Sequence, residues 1–195
     1  RKEFFKAIGL SVENVGYQRQ IHSDIVQVVE CGGDNGASDA LITKENNLGL
    51  AIAVADCTPV FLYDLKNNVI AAVHSGWQGT EQKILLKTLL MLQKDYSSKP
   101  ENMIAYIGPS ISKSNYEVGK EFEEKFDKAY LKPKGDKFLL DVSGINYQIL
   151  LDFGIPKNQI QKSELCTYEF SNLFHSYRRD GNLSGRSLGV IAIKG

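Results

Sequence analysis

The chain has 195 residues, a length for one domain, and its 23 Lys and Arg balance 23 Asp and Glu to no net charge. Without a long-range field to draw in a polyanion, neither nucleic acid nor a membrane surface is the expected partner. The three cysteines, Cys31, Cys57 and Cys166, are too few and too scattered for a secreted disulfide framework, and the longest apolar stretch is broken by Asp56 and Pro59, so a cytoplasmic protein is expected.

In chain order, residues 1–9 read as a helix end closed by Gly9. Residues 17–29 read as extended, with Ile21, Ile25, Val26, Val28 and Val29 β-branched, and residues 31–40 as a loop by composition. Residues 48–55 and 60–63 read as buried strands. Lys66-Asn67-Asn68 is the turn, and residues 69–73 are the returning strand. Thr80 reads as the N-cap of a helix carrying Ile84, Leu85, Thr88, Leu89 and Leu92. Residues 103–107 form a short strand. Val118, Phe122, Phe126 and Tyr130, four apart, predict a second helix, and residues 143–153 a third, stopped by Gly154 and Pro156. Residues 187–193 are a last strand. The hairpin requires antiparallel pairing, so a single α+β domain over 1–195 with a mixed sheet is preferred to a doubly wound parallel one.

The soft-ligand supply is three histidines and three cysteines. His22, Cys57 and His74 fall at strand ends, and only a hairpin separates Cys57 from His74. A thiolate and two imidazoles make three metal ligands and leave a fourth position open, the catalytic pattern for zinc. Each also has a plainer reading: Cys57 as a small buried hydrophobe, His74 as a hydrogen-bonded core residue, His22 as merely exposed. Asp56, beside Cys57, is a proton carrier or a strand-end cap. Gly76 and Gly79 flank Trp77 and Gln78 just before a helix, where backbone N–H groups could meet an anion. Arg178, Arg179 and Arg186 surround a Gly-rich turn, either a solvated loop or a phosphate clamp. Gly108, in Ile107-Gly108-Pro109-Ser110-Ile111, is a corner or a pocket wall.

Taken together, these blocks resemble the multicopper polyphenol oxidoreductase (laccase-domain) family, the YfiH-type group regarded as purine nucleoside phosphorylases. His74-Ser-Gly-Trp-Gln-Gly79 is similar to its His-Ala-Gly-Trp-Arg-Gly, and Ala55-Asp-Cys-Thr-Pro-Val60 to its Ala-Asp-Cys-x-Pro-Val. Gln20-Ile-His-Ser23, Ile107-Gly-Pro-Ser-Ile111, Tyr116-Glu-Val-Gly119, Cys166-Thr167 and Ser176-Tyr-Arg-Arg-Asp-Gly181 with Gly185-Arg186 follow in family order. The family's Thr-Arg-x-Gly-Gly-like N-terminal block has no match, so a trimmed start is expected.

The resemblance implies a sandwich of mixed β-sheets flanked by helices, with His22, Cys57 and His74 as metal ligands. It implies phosphorolysis of adenosine, inosine, guanosine and methylthioadenosine, with phosphate as co-substrate, and deamination of adenosine. The expected cofactor is zinc. Copper, with phenol oxidation, is the older family label and the alternative, and a metal-free Cys57–His74 hydrolase is a third reading. Cys57, Asp56, Arg179 and Arg186 are the expected catalytic residues, and Gln78, Arg178 and Gly108 the substrate-binding ones. Gln78 stands where the family has arginine. A monomer or small homo-oligomer is expected.

Overall fold

The structure, a computed structural model, describes residues 2–194; Arg1 and Gly195, the ends of the expected domain, lie outside the described residues. The strands are β1 (Val15–Arg19), β2 (Val26–Val28), β3 (Gly33–Ala37), β4 (Ala40–Thr43), β5 (Gly49–Val54), β6 (Thr58–Asp64), β7 (Val69–Ser75), β8 (Met103–Ile107), β9 (Glu117–Val118), β10 (Leu131–Lys134), β11 (Lys137–Leu140), β12 (Ile160–Lys162) and β13 (Ser187–Ala192). The α-helices are α1 (Lys2–Ala7), α2 (Trp77–Glu81), α3 (Ile84–Tyr96), α4 (Val142–Asp152) and α5 (Tyr177–Asp180).

A six-stranded sheet, in the order β12-β8-β6-β7-β4-β2, forms the centre. Its strands alternate sides with period two. Val60, Leu62, Ala71, Val73, Ala40 and Ile42 meet Ile84, Leu85, Leu89 and Leu92 of α3 and Leu150 of α4. Phe61, Ile70, Ala72 and Leu41 point the other way, onto Leu50, Ile52 and Val54 of β5. Both faces are therefore buried, which is why β6 and β7 read as unbroken apolar runs. β5 belongs to a second sheet, β13-β5-β1-β3, whose outer side packs Ala51 and Val15 against Phe5 of α1. A third sheet, β10-β11-β9, closes the end nearest α4. Parallel pairs (β1 with β3 and β5, β2 with β4, β8 with β12) mix with antiparallel ones, so the expected mixed-sheet α+β sandwich is the observed architecture. No helix among the described residues is long and apolar enough to cross a membrane.

Four local expectations need correction. Residues 17–29 are two strands in different sheets, separated by a turn in which His22 takes the left-handed conformation (φ 58°). Residues 31–40 are not all loop: Gly33–Ala37 is β3, an edge strand whose ladder with β1 supplies the pairing that its composition lacks. Thr80 is not an N-cap. Extended Gly76 starts α2, and Lys83, at φ 63°, separates α2 from α3. The Thr80 hydroxyl instead meets Ser75 Oγ at 2.9 Å and accepts from Asn146 Nδ2 at 3.1 Å, joining β7, α2 and α4.

The second helix is absent. Residues 117–130 hold β9 and two 3₁₀ turns, Lys120–Glu124 and Lys128–Tyr130, the latter capped by Asp127, which accepts from Ala129 N. The aromatic spacing still packs a core. Phe122 and Phe126 stack at 5.9 Å, and Trp77 leans on Phe122 at 4.9 Å.

Candidate metal centre

The β6–β7 hairpin sets the site. Its register pairs Pro59 with His74 and Thr58 with Ser75, so Cys57 falls just past the ladder, opposite Gly76. A Cβ on Gly76 would stand 2.8 Å from Cys57 Sγ and 3.6 Å from His22 Cδ2, so the thiol needs glycine there. His22 arrives from the turn between β1 and β2. Its ring centroid lies 5.0 Å from that of His74, and its Nε2 lies 4.0 Å from Cys57 Sγ. One ligand atom from each of the three side chains falls within 4.8 Å of the others, and no other group of His, Cys, Asp and Glu among the described residues is so placed.

The donor set fits a metal. Ligand bonds of about 2.0–2.3 Å around a tetrahedral ion put the ligand atoms roughly 3.5 Å apart, so the trio stands slightly open around a metal-sized centre. His74 Nδ1 is 2.8 Å from Asp39 Oδ1, which leaves Nε2 as its ligating nitrogen. Asp39 is fully buried, and its other bonds come from the His22 turn: the backbone N–H groups of Ile21, His22 and Ser23 and the Ser23 hydroxyl.

The charges are coupled. Burial pushes the Asp39 carboxyl up, but hydrogen bonds from His74 and Ser23 outweigh it and hold it at about 2. Burial pushes His74 down, but Asp39 and Cys57 outweigh that and raise it to about 9. Burial likewise pushes the Cys57 thiol up, and hydrogen bonds and charge from His22 and His74 bring it down to about 6. Both shifts run in the direction of a thiolate beside a protonated imidazole. A metal would find the thiolate ready and displace the proton from His74.

Asp56, Cys57, Gly76, Trp77, Ile111, Tyr116 and Val142 line a hollow of about 30 Å³ beside the thiol, room for a water and not for a nucleoside. His22, on the other side of the thiol, is exposed.

The other expected site residues scatter around this hollow. Asp56 sits at φ 87°, and both of its oxygens are engaged, by Thr167 Oγ1 and Arg178 N, each at 2.7 Å. Arg178 lies at 5.0 Å over the ring of Tyr116, one of the residues lining the hollow, and donates to Glu117 O at 2.7 Å. The guanidinium of Arg179 donates to the carbonyls of Thr167, Tyr168 and Phe174 and to both oxygens of Asp180. Arg186 donates to Ser184 O and Gly185 O, with its guanidinium 5.9 Å from the Tyr177 ring. Gln78 is the second residue of α2 and half-buried, with its carbonyl accepting from Gln82. Gly108 lines a different cleft, of about 360 Å³, with Pro59, Phe61, Tyr106 and Thr167. The Asp56–Thr167 bond stands between that cleft and the hollow. Asp39 is the residue that reading the sequence misses; its one cue is an acidic side chain directly before the apolar run Ala40-Leu41-Ile42.

The family described as multi-copper polyphenol oxidoreductase laccase matches residues 1–194. The chain is 41% identical over 163 residues to a purine nucleoside phosphorylase of Bacteroides thetaiotaomicron, covering 80% of this chain and 60% of that one. It is 36% identical over 199 residues to a purine nucleoside phosphorylase of Corynebacterium glutamicum, covering 98% and 79%. Among solved structures, the hypothetical protein YfiH of Bacillus licheniformis superposes with a TM-score of 0.95 at 29% identity, over 99% of this chain and 79% of that one. YlmD of Geobacillus stearothermophilus gives 0.90 at 25% identity, over 100% and 78%.

Proposed function

The chain belongs to the multi-copper polyphenol oxidoreductase laccase family, and from that premise we propose that it is a purine nucleoside phosphorylase centred on zinc held by His22, Cys57 and His74. The observation that carries this reading is the convergence of one thiol and two imidazoles within 4.8 Å, in a chain whose relatives bear that enzyme name. Zinc is favoured over copper because three histidines in the whole chain cannot furnish the several copper sites of a multicopper oxidase.

In phosphorolysis a phosphate oxygen bonds to C1′ of the ribose as the glycosidic C–N bond breaks. The bonding pair leaves with the purine nitrogen, and the purine takes up a proton. A bound zinc supplies Lewis-acid polarisation at the centre. Arg178, on the Tyr116 wall, is assigned to phosphate, with Arg186 as the second cation. Arg179, with its donors spent on the loop carbonyls and Asp180, holds that loop in shape. In the proposed deamination of adenosine, water adds to C6 of the base, at a different atom from the one phosphate attacks, and the C6–N bond breaks to leave inosine and ammonia. Adenosine, inosine, guanosine and methylthioadenosine are the proposed substrates, and the cytoplasm the proposed location, where the free thiols of Cys31, Cys57 and Cys166 stay reduced.

A second reading is favoured by one observation: the Cys57 thiol lies within 4.8 Å of a ring nitrogen of His74, whose Nδ1 is 2.8 Å from the Asp39 carboxylate, an arrangement that also suits a metal-free cysteine hydrolase. One experiment separates them. The purified protein is analysed for metal and incubated with adenosine with and without phosphate. The phosphorylase reading requires one zinc per chain and phosphate-dependent ribose 1-phosphate and adenine. Metal-free protein that hydrolyses its substrate without phosphate, and is stopped by thiol alkylation, would favour the dyad.

A further inference from the structure

We propose that Asp39 is the positioning residue of this centre, a single carboxylate that sets the place of both histidines without being a ligand. Its side chain is fully buried at the boundary between the 31–39 segment and β4. Oδ1 lies 2.8 Å from His74 Nδ1 and accepts from His22 N at 3.1 Å. Oδ2 accepts from Ile21 N at 3.2 Å, Ser23 N at 2.6 Å and Ser23 Oγ at 2.8 Å. Its own backbone carbonyl takes His74 N at 2.7 Å. Three consecutive backbone N–H groups, a hydroxyl and a ring nitrogen thus converge on one side chain.

Only an acceptor without protons satisfies that set, and an ionised carboxylate has two oxygens and about four lone-pair sites for it. Two consequences follow. The bond to Nδ1 holds a ring proton there, so Nε2 of His74 is the nitrogen that gives up its proton and offers its lone pair to a metal. The left-handed turn at His22 (φ 58°) is held by the N–H groups of His22 and both its neighbours being fixed to one point. Neither histidine reaches its position through its own strand alone.

The substitution Asp39→Asn exposes this dependence. The amide nitrogen faces donors in either orientation. On the Oδ1 side it donates to His74 Nδ1, which moves the ring proton to Nε2 and removes the ligand lone pair. On the Oδ2 side it meets the N–H groups of Ile21 and Ser23 and releases the His22 turn. Ser23→Ala is the control, because it deletes one bond to Oδ2 and the 3.3 Å bond from Ile25 N to the Ser23 hydroxyl, and leaves the backbone donors to Asp39 and His74 untouched.

The inference rests on the metal reading for ligation, but its structural half does not need a metal. The test is zinc titration of wild type, Asp39→Asn and Ser23→Ala, with nitrogen NMR of the His74 ring and amide exchange at residues 21–23. Asp39→Asn is expected to bind zinc about 10–100-fold more weakly, with loss of either the Nδ1–H signal or the exchange protection. Ser23→Ala is expected to stay within about threefold of wild type, since only one of the hydrogen bonds to the Asp39 carboxylate is lost. Should Asp39→Asn fail to fold, the wild type still decides: a protonated Nδ1 and slow exchange at Ile21, His22 and Ser23 support the proposal, and an unprotonated Nδ1 with fast exchange overturns it. Wild-type zinc affinity, ring signal and protection in a folded Asp39→Asn protein would also overturn it. A wild type that binds no zinc defeats the metal reading alone, while ring signal and exchange still judge Asp39.

Discussion

Asp56 and Thr167, 111 residues apart, are joined by a 2.7 Å hydrogen bond from the threonine hydroxyl to the carboxylate. The other carboxylate oxygen takes the N–H of Arg178 at 2.7 Å. The residue before the thiol therefore ties the strand end that carries Cys57 to the segment that carries the arginines. Both oxygens are spent on this, and the backbone at φ 87° is one that a non-glycine residue keeps only where its surroundings hold it there.

A clip and a proton carrier respond differently to Asp56→Ala. The clip predicts a loss of about 1–3 kcal/mol of stability from the orphaned buried donors, measured by urea unfolding. It also predicts a raised KM for phosphate with zinc content unchanged. Undiminished stability with kcat alone reduced would favour the proton carrier.

Gly76→Ala isolates a steric requirement. The backbone there, φ −69° and ψ 179°, is ordinary for alanine, so the only new event is a Cβ 2.8 Å from Cys57 Sγ. The expected result is zinc binding weakened by about tenfold or more, comparable to loss of an outer-shell contact, in a protein whose thermal midpoint moves little. Calorimetric titration reads the binding and scanning calorimetry the midpoint.

The arginines should separate by activity. Arg178→Ala is expected to raise the KM for phosphate by at least about tenfold, as loss of a charge-assisted bond, and to spare deamination, which uses water. Arg179→Ala should lower stability and reduce both activities together, because it removes hydrogen bonds to Thr167, Tyr168 and Phe174 and not a substrate contact. Equal behaviour of the two variants would overturn the assignment.

Acid sensitivity has a separate source at the far end of the hairpin. Asp64 is buried and accepts from the backbone N–H groups of Lys66 and Asn67 and from Asn67 Nδ2. Burial pushes its carboxyl up, and the Ser98 side chain together with these hydrogen bonds from Asn67 and Lys66 outweighs it, so its folded value lies below the ordinary one. A lowered value means stability that is present above the unfolded pKa of about 3.9 and lost as pH falls through the folded one. Asp64→Ala should cost about 1–3 kcal/mol at pH 7, and the difference from wild type should shrink below pH 4. A pH-independent difference would contradict this.

The convergence of His22, Cys57 and His74 was legible because its chemistry is local: scarce residue types at strand ends, and a hairpin that brings Cys57 and His74 together. Asp39 was not legible, because it is one of 23 acidic residues and its role exists only once residues 21–23 and 74 surround it. Residues 118–130 misled because aromatics four apart also fit two short 3₁₀ turns when a glycine precedes them and an aspartate caps the second. The strand Gly33–Ala37 was hidden by a loop-like composition, since its order comes from lying beside β1.

The central claim is that zinc held by His22, Cys57 and His74 supports phosphorolysis. The most direct measurement is titration of metal-stripped protein with zinc, following ribose 1-phosphate formed from adenosine and phosphate. The account predicts no product at the start, a linear rise to one zinc per chain, and no rise in the Cys57→Ser variant. Full activity in the stripped protein, or free ribose as the product, would contradict it.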